Sequence, residues 1–104
     1  MDLVTIASLP EVKSAVLCDP EGTFLDAVRE GDGESVAAVT GFLTATLAQA
    51  GEDLGLGPLE RISFSGPSRA ALILALPDAV LFAVIEPASA CPAVERAIDG
   101  VIRG

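Results

Sequence analysis

Two apolar runs, Ala70–Leu76 and Ala79–Ile85, constrain this chain more than anything else in it. Only Pro77 and Asp78 separate them, and so short a link forces antiparallel neighbours in one sheet. In the first run Leu72, Leu74 and Leu76 share one face, and Ala71, Ile73 and Ala75 the other; the second run is also apolar on both faces. A strand apolar on both sides is covered on both sides. The expectation is a sheet with helices on both faces, in three layers.

The rest of the chain supplies the other elements. Asp2–Leu9 reads as a short helix ended by Pro10. Val12–Cys18 and Thr23–Val28 read as strands joined by the turn Asp19-Pro20-Glu21-Gly22, with proline and glycine where a type I turn wants them. A long helix follows over Glu34–Leu54, capped near Asp32 and Gly33 and stopped by Gly55-Leu56-Gly57-Pro58. Leu59–Ser65 is a third strand, the two apolar runs (extended to Arg69 and Glu86) are the fourth and fifth, and a last helix starts at Cys91 or Pro92 and runs to about Ile102. The order is α-β-β-α-β-β-β-α. It describes one α/β (α+β) domain over residues 1–104 with a five-stranded antiparallel sheet, not a doubly wound nucleotide fold, whose parallel strands need helical crossovers.

The charge balance removes several partners. The 104 residues hold 15 acidic and 6 basic side chains, for a net charge of −9. Such a chain repels nucleic-acid phosphate and anionic lipid, so neither nucleic acid nor membrane is expected to bind. No apolar run approaches the roughly 20 residues of a membrane span, and the N-terminus has no basic and apolar leader pattern. A cytoplasmic protein is expected, with Cys18 and Cys91 as reduced, buried thiols.

Catalytic groups are scarce. There is no histidine, and Lys13 is the single lysine, outside any phosphate-binding loop. Two cysteines cannot make a zinc site alone, and the carboxylates of Glu30, Asp32 and Glu34 do not match a calcium-loop spacing. No enzyme activity, metal or cofactor is expected. The arginines are weighed separately, because some GTPase activators insert one into the active site. Arg29, in a loop, and Arg69, at a hairpin shoulder, are placed to reach a partner; Arg61, Arg96 and Arg103 complete the set.

The long helix carries two stripes. Val36, Val39, Leu43, Leu47, Ala50 and Leu54, flanked by Phe42, recur at helical spacing and read as the core-facing side. Ala37, Gly41, Thr44, Ala48 and Gly51 form a second, small-residue stripe. Interior glycines cost a helix about 1 kcal/mol each relative to alanine, and a second copy of the helix approaching closely would offset this; the alternatives are a merely alanine-rich surface or one tucked under the chain's own terminal helix. On Leu59–Ser65, Ile62 and Phe64 share one face; at a sheet edge this strand offers unpaired backbone to a symmetry mate. The expected dimer interface is therefore Ala37, Gly41, Thr44, Ala48, Gly51, Ile62 and Phe64.

The stretches VKSAVLCDPEGTFLDAV, SVAAVTGFLTATLAQAGEDLGLGPLERISFSG and RAALILALPDAVLFAVIEP together resemble the roadblock / dynein light chain family over nearly the whole chain. The helix–LGLGPLERI–strand passage is the most specific part, and the opening helix is short beside typical members. The resemblance implies a homodimer, or a heterodimer with a paralogue, built on a shared sheet with paired long helices. It further implies binding of a Ras-like small GTPase; bacterial relatives include a regulator that accelerates hydrolysis by such a GTPase. Expected docking residues lie on the long helix (Thr40, Thr44, Ala45 and Ala48), with Arg29 and Arg69 beside it. The alternatives are a dimeric adaptor or sensory module that touches no GTPase, and a small-molecule-binding domain with a closed apolar cavity.

Overall fold

The computed structural model describes residues 3–103, so Asp2, assigned above to the opening helix, lies outside the described residues. The elements are α1 (Leu3–Ala7), β1 (Val12–Cys18), β2 (Phe24–Val28), α2 (Gly33–Asp53), β3 (Arg61–Ser65), β4 (Ala70–Ala75), β5 (Val80–Ile85) and α3 (Cys91–Arg103). A single 3-10 turn over Ala88–Ala90, absent from the sequence reading, leads into α3. All neighbouring strands are antiparallel, in the order β2-β1-β5-β4-β3.

Local chemistry sets the boundaries. In the first hairpin Gly22 N–H donates to the Asp19 carbonyl at 3.0 Å, and Gly22 takes φ +91°. The turn is thus a type I turn closed by a left-handed glycine. The Asp19 carboxylate accepts the Glu21 and Thr23 N–H groups, both at 2.9 Å. Those donors, Thr23 foremost, hold its carboxyl below the ordinary value. At the end of α2, Gly55 takes φ +74° and donates to the Glu52 carbonyl, while Leu56 N–H reaches back to Gly51 at 2.8 Å. This is a Schellman stop, and it explains the glycine. The expected cap at the other end of α2 is absent in one respect. Asp32 occupies the N-cap position, but its side chain makes no capping bond.

The sheet has two unequal faces. α1 and α3 cover one, burying Leu3, Ile6, Leu72, Leu81, Val94 and Ile98 in the larger core. α2 alone covers the other, resting chiefly on β1, β2 and β5. Its core is small: Val16, Cys18, Ala37, Ile73 and Val80. Cys18 and Cys91 are buried in different cores, and burial, helped by Asp19 and Glu95 respectively, pushes both thiols up. Among the described residues no helix is long and apolar enough to cross a membrane.

Candidate interaction surface

α2 meets the sheet largely with the small-residue side, although Val36 and Leu43 of the large apolar stripe also pack against that core as expected. Its buried residues are Gly33, Ala37, Thr40 and Gly41, so the small residues face the chain's own sheet. The physical reason is a close approach to the β1–β2 turn. A Cβ added to Gly41 would stand 2.5 Å from the Gly22 Cα, and one added to Gly22 would stand 3.1 Å from the Ala37 carbonyl oxygen. Backbone therefore touches backbone inside one protomer. Ala37, Gly41 and Thr40, expected at a dimer or partner contact, are enclosed within the fold and present no surface. Thr44 is half-buried and donates its hydroxyl to the Thr40 carbonyl at 2.7 Å, while Ala48 and Gly51 are half-buried too. Ala45 is exposed.

The rest of the large apolar stripe, read above as core, is left in water. Val39 is 58% exposed, Phe42 70% and Leu54 73%. Full burial of such a side chain is worth about 1.5–3 kcal/mol, so the isolated protomer forgoes several kcal/mol on one helix face. β3 extends this surface: Phe64 is 44% exposed, and Ile62 is half-buried beside it. Between α2 and β3 lies an open groove of 690 Å³, lined by Leu47, Leu54, Leu56, Pro58 and Ile62 among others. A second cleft of 230 Å³ holds Val36, Val39, Leu43 and Phe82. Both are open to solvent at the surface. Contiguous apolar surface of this kind marks an interaction site.

One sequence signal does pick out this face. From Ser35 to Gly51 there is no charged residue, although the whole chain carries −9. A helix without a charged side has no solvated face to offer, so both stripes have to be covered. The hydrophobic pattern tells that Val39 and Leu47 are buried by something, not by what.

The arginines are mostly engaged. Arg29 is no free loop residue: with φ +57° it turns back into the fold. Its guanidinium donates to the carbonyls of Ala7 (2.5 Å), Val12 (2.9 Å) and Lys13 (2.9 Å), tying the end of α1 to the start of β1. That role corrects its expected partner contact. Arg69 pairs with Glu86 at 3.2 Å and stays exposed. Arg61 is held by Glu95 at 2.5 Å and Asp99 at 3.4 Å, both on α3. Arg96 is exposed on α3, and the side chain of Arg103 lies outside the described residues. Among the described residues no group of three or more potential ligands could hold a metal ion.

The same architecture occurs in solved structures. The chain matches Myxococcus xanthus MglB with a TM-score of 0.80 at 17% identity, over 94% of this chain and 80% of that one. A Roadblock/LC7 domain from Streptomyces avermitilis gives 0.71 at 14% identity, over 95% and 92%. The gliding protein MglB of Thermus thermophilus gives 0.67 at 18%, over 81% and 70%. No family profile matches the sequence, and neither does any curated protein. Identities this low speak for shape alone. With its α-β-β-α-β-β-β-α order and five-stranded antiparallel sheet, the chain has the roadblock fold.

Proposed function

We propose that this chain is a non-catalytic dimeric platform that docks a Ras-like small GTPase and modulates it. The observation that carries the dimer is the uncharged, half-exposed α2 stripe lying beside the free edge of β3. Its occupant is a second copy of the chain, or a close paralogue. A partner of unrelated charge would have no reason to meet a face free of both signs in so acidic a chain, whereas two copies meet there without like-charge contact. Sheet continuation across β3 then places the two α2 helices on one side of a shared sheet.

The GTPase rests on the roadblock resemblance and the fold match. The arginine geometry bears on the mode of action. Arg29 is spent on three carbonyls, and Arg61 and Arg69 are ion-paired. Arg96 stays exposed on α3, so the mode in which the dimer positions the GTPase's own residues, with no finger inserted into its active site, rests on the family resemblance. Ala45, exposed on α2, and Arg69, exposed at the rim, remain as contacts for that docking. Light scattering tests the dimer, and pull-down tests the GTPase. Ras-like GTPases of the source organism, loaded with GDP or with a non-hydrolysable GTP analogue, should be retained preferentially in one state. Retention in neither state removes the GTPase and leaves the dimeric adaptor.

A further inference from the structure

The sheet face opposite α2 is covered at one end only. α1 spans five residues and β1 seven, roughly 8 Å of helix against roughly 23 Å of strand. Arg29, bonded to the Ala7 and Val12 carbonyls, fixes α1 over the start of β1. The Leu17 end of the strand lies beyond its reach, and α3 contributes only its last turn there, through Ile102. Leu17, Leu76, Ala79 and Ile102, all half-buried, join exposed Pro77 and Asp78 around an open cleft of 300 Å³. A second cleft of 190 Å³ lies against the same Leu76 and Ile102. Leu76 N–H donates to the Ala79 carbonyl at 2.8 Å and pins the hairpin, so this part of the cleft wall is preformed.

The rim of this cleft is acidic. Asp26 pairs with Leu17 across the β1–β2 ladder, and directly opposed residues share a face, so its carboxylate stands on the β2 side of the cleft. Asp78 stands at the tip of the β4–β5 hairpin. Both are exposed. The Asp26 carboxylate accepts one hydrogen bond, from Ala27 N–H. The ion pairs among the described residues are those of Arg61 and Arg69, so neither carboxylate has a cation among them. Leu25, 52% exposed beside Asp26, widens the apolar surface. An apolar centre between two uncompensated carboxylates selects its occupant. A second copy would set Asp26 and Asp78 against like charge, and an anionic lipid surface is repelled in the same way. An extended strand has no clean ladder to join, because β2 is bulged and its Ala27 donor is taken. A short amphipathic helix fits, with an apolar stripe for the cleft and lysine or arginine on its flanks.

We propose that the Leu17–Ile102 cleft docks a basic amphipathic helix of another protein, on the side of the sheet away from α2. This docking requires neither the dimer nor the GTPase, since the surface that serves them lies on the other face. The probe is a synthetic helical peptide with leucines at three- and four-residue spacing and lysines on both flanks. It is titrated into the full chain, with binding followed by fluorescence anisotropy and by amide NMR. The amides of Leu17, Leu76, Ala79 and Ile102 should shift, while those along α2 stay in place. This mapping needs no substitution. Asp78→Lys, at an exposed hairpin tip, should then weaken the lysine-flanked peptide about tenfold and strengthen a glutamate-flanked one. Glu52→Lys makes the same charge change at an exposed site on α2 and should leave both affinities nearly unchanged. Three results overturn the proposal. A peptide with alanine in place of leucine that binds equally well, or a Glu52→Lys effect equal to that of Asp78→Lys, reduces the contact to bulk charge. Shifts confined to α2 and β3, or no binding at all, place no docking site in this cleft.

Discussion

β2 ends the sheet on one side and β3 on the other, and each is five residues long. β2 is finished in ways that discourage pairing. Its register with β1 slips between Leu17 and Cys18, so the strand is bulged. The Asp26 carboxylate accepts the N–H of Ala27 at 2.8 Å, and the Phe24 ring seats against Gly33 at the start of α2. Bulges, charges and a covering element are how natural sheets blunt an edge. β3 has none of these on its α2 side: its pairing with β4 runs unbroken, and Ile62 and Phe64 face an uncovered half of the sheet. One edge is closed chemically and the other left open, which is what a protein needs if it is to pair once and then stop.

If the comparison holds, changes at the β3 edge should alter association and spare the protomer, while changes on the β2 side should do the reverse. Ser63→Pro should have the largest effect. Position 63 alternates with the β4-bonded positions 60 and 66, so its N–H points away from β4 and proline is tolerable in the protomer, yet it removes a donor from the open edge. Sedimentation should show a folded monomer. Phe64→Lys should weaken association roughly ten- to hundredfold, since the burial lost is about 1.5–3 kcal/mol. Leu25→Lys, at the equally exposed β2 edge, should leave the dissociation constant unchanged; equal effects from the two lysines would erase the distinction.

On the other side, Gly41→Leu should lower protomer stability by about 1–3 kcal/mol or more in a urea titration, because the turn at Gly22 leaves no room. Arg29→Met should lower it by about 1–3 kcal/mol by stripping three carbonyls of a charged donor. The smallest change concerns Asp19. Its folded carboxyl titrates below the ordinary value of 3.8, so its contribution is complete above that pH and fades as pH falls through the lowered value. Asp19→Asn should flatten this part of the acid stability profile without altering association at neutral pH.

Much of the fold was legible in the sequence because its signals are local. Val12–Cys18 matches its strand at both ends, and Gly22, Gly55 and Pro77 mark turns by their own backbone chemistry. The pairing of β3 with β4 followed from the short Gly66-Pro67-Ser68 link, whereas its place at the edge was only a condition in the sequence. What failed depended on residues far apart in sequence. That Gly41 packs on Gly22, well upstream and in a different element, cannot be read from helical periodicity, so Val36 and Leu43 were placed rightly on the core while Val39 and Phe42 were placed there wrongly. Arg29 looked free because its acceptors, the carbonyls of Ala7, Val12 and Lys13, carry no side-chain signature. For the interaction surface, Ile62 and Phe64 were in view from the start, whereas Val39, Phe42 and Leu47 were credited to the wrong neighbour.

The absence of charge between Ser35 and Gly51 has a colloidal consequence. Two protomers of net charge −9 would repel as they approach through the proposed interface, yet its α2 portion holds nothing for counterions to pair with. The opposing force is therefore long-ranged and screened within about 8 Å at physiological ionic strength, while the attraction is apolar and indifferent to screening. Added salt should draw the copies together, the reverse of what it does to an electrostatically steered complex. On the proposed dimer, the protein would disperse at low ionic strength and assemble as salt rises, with no switch beyond its own excess of carboxylates.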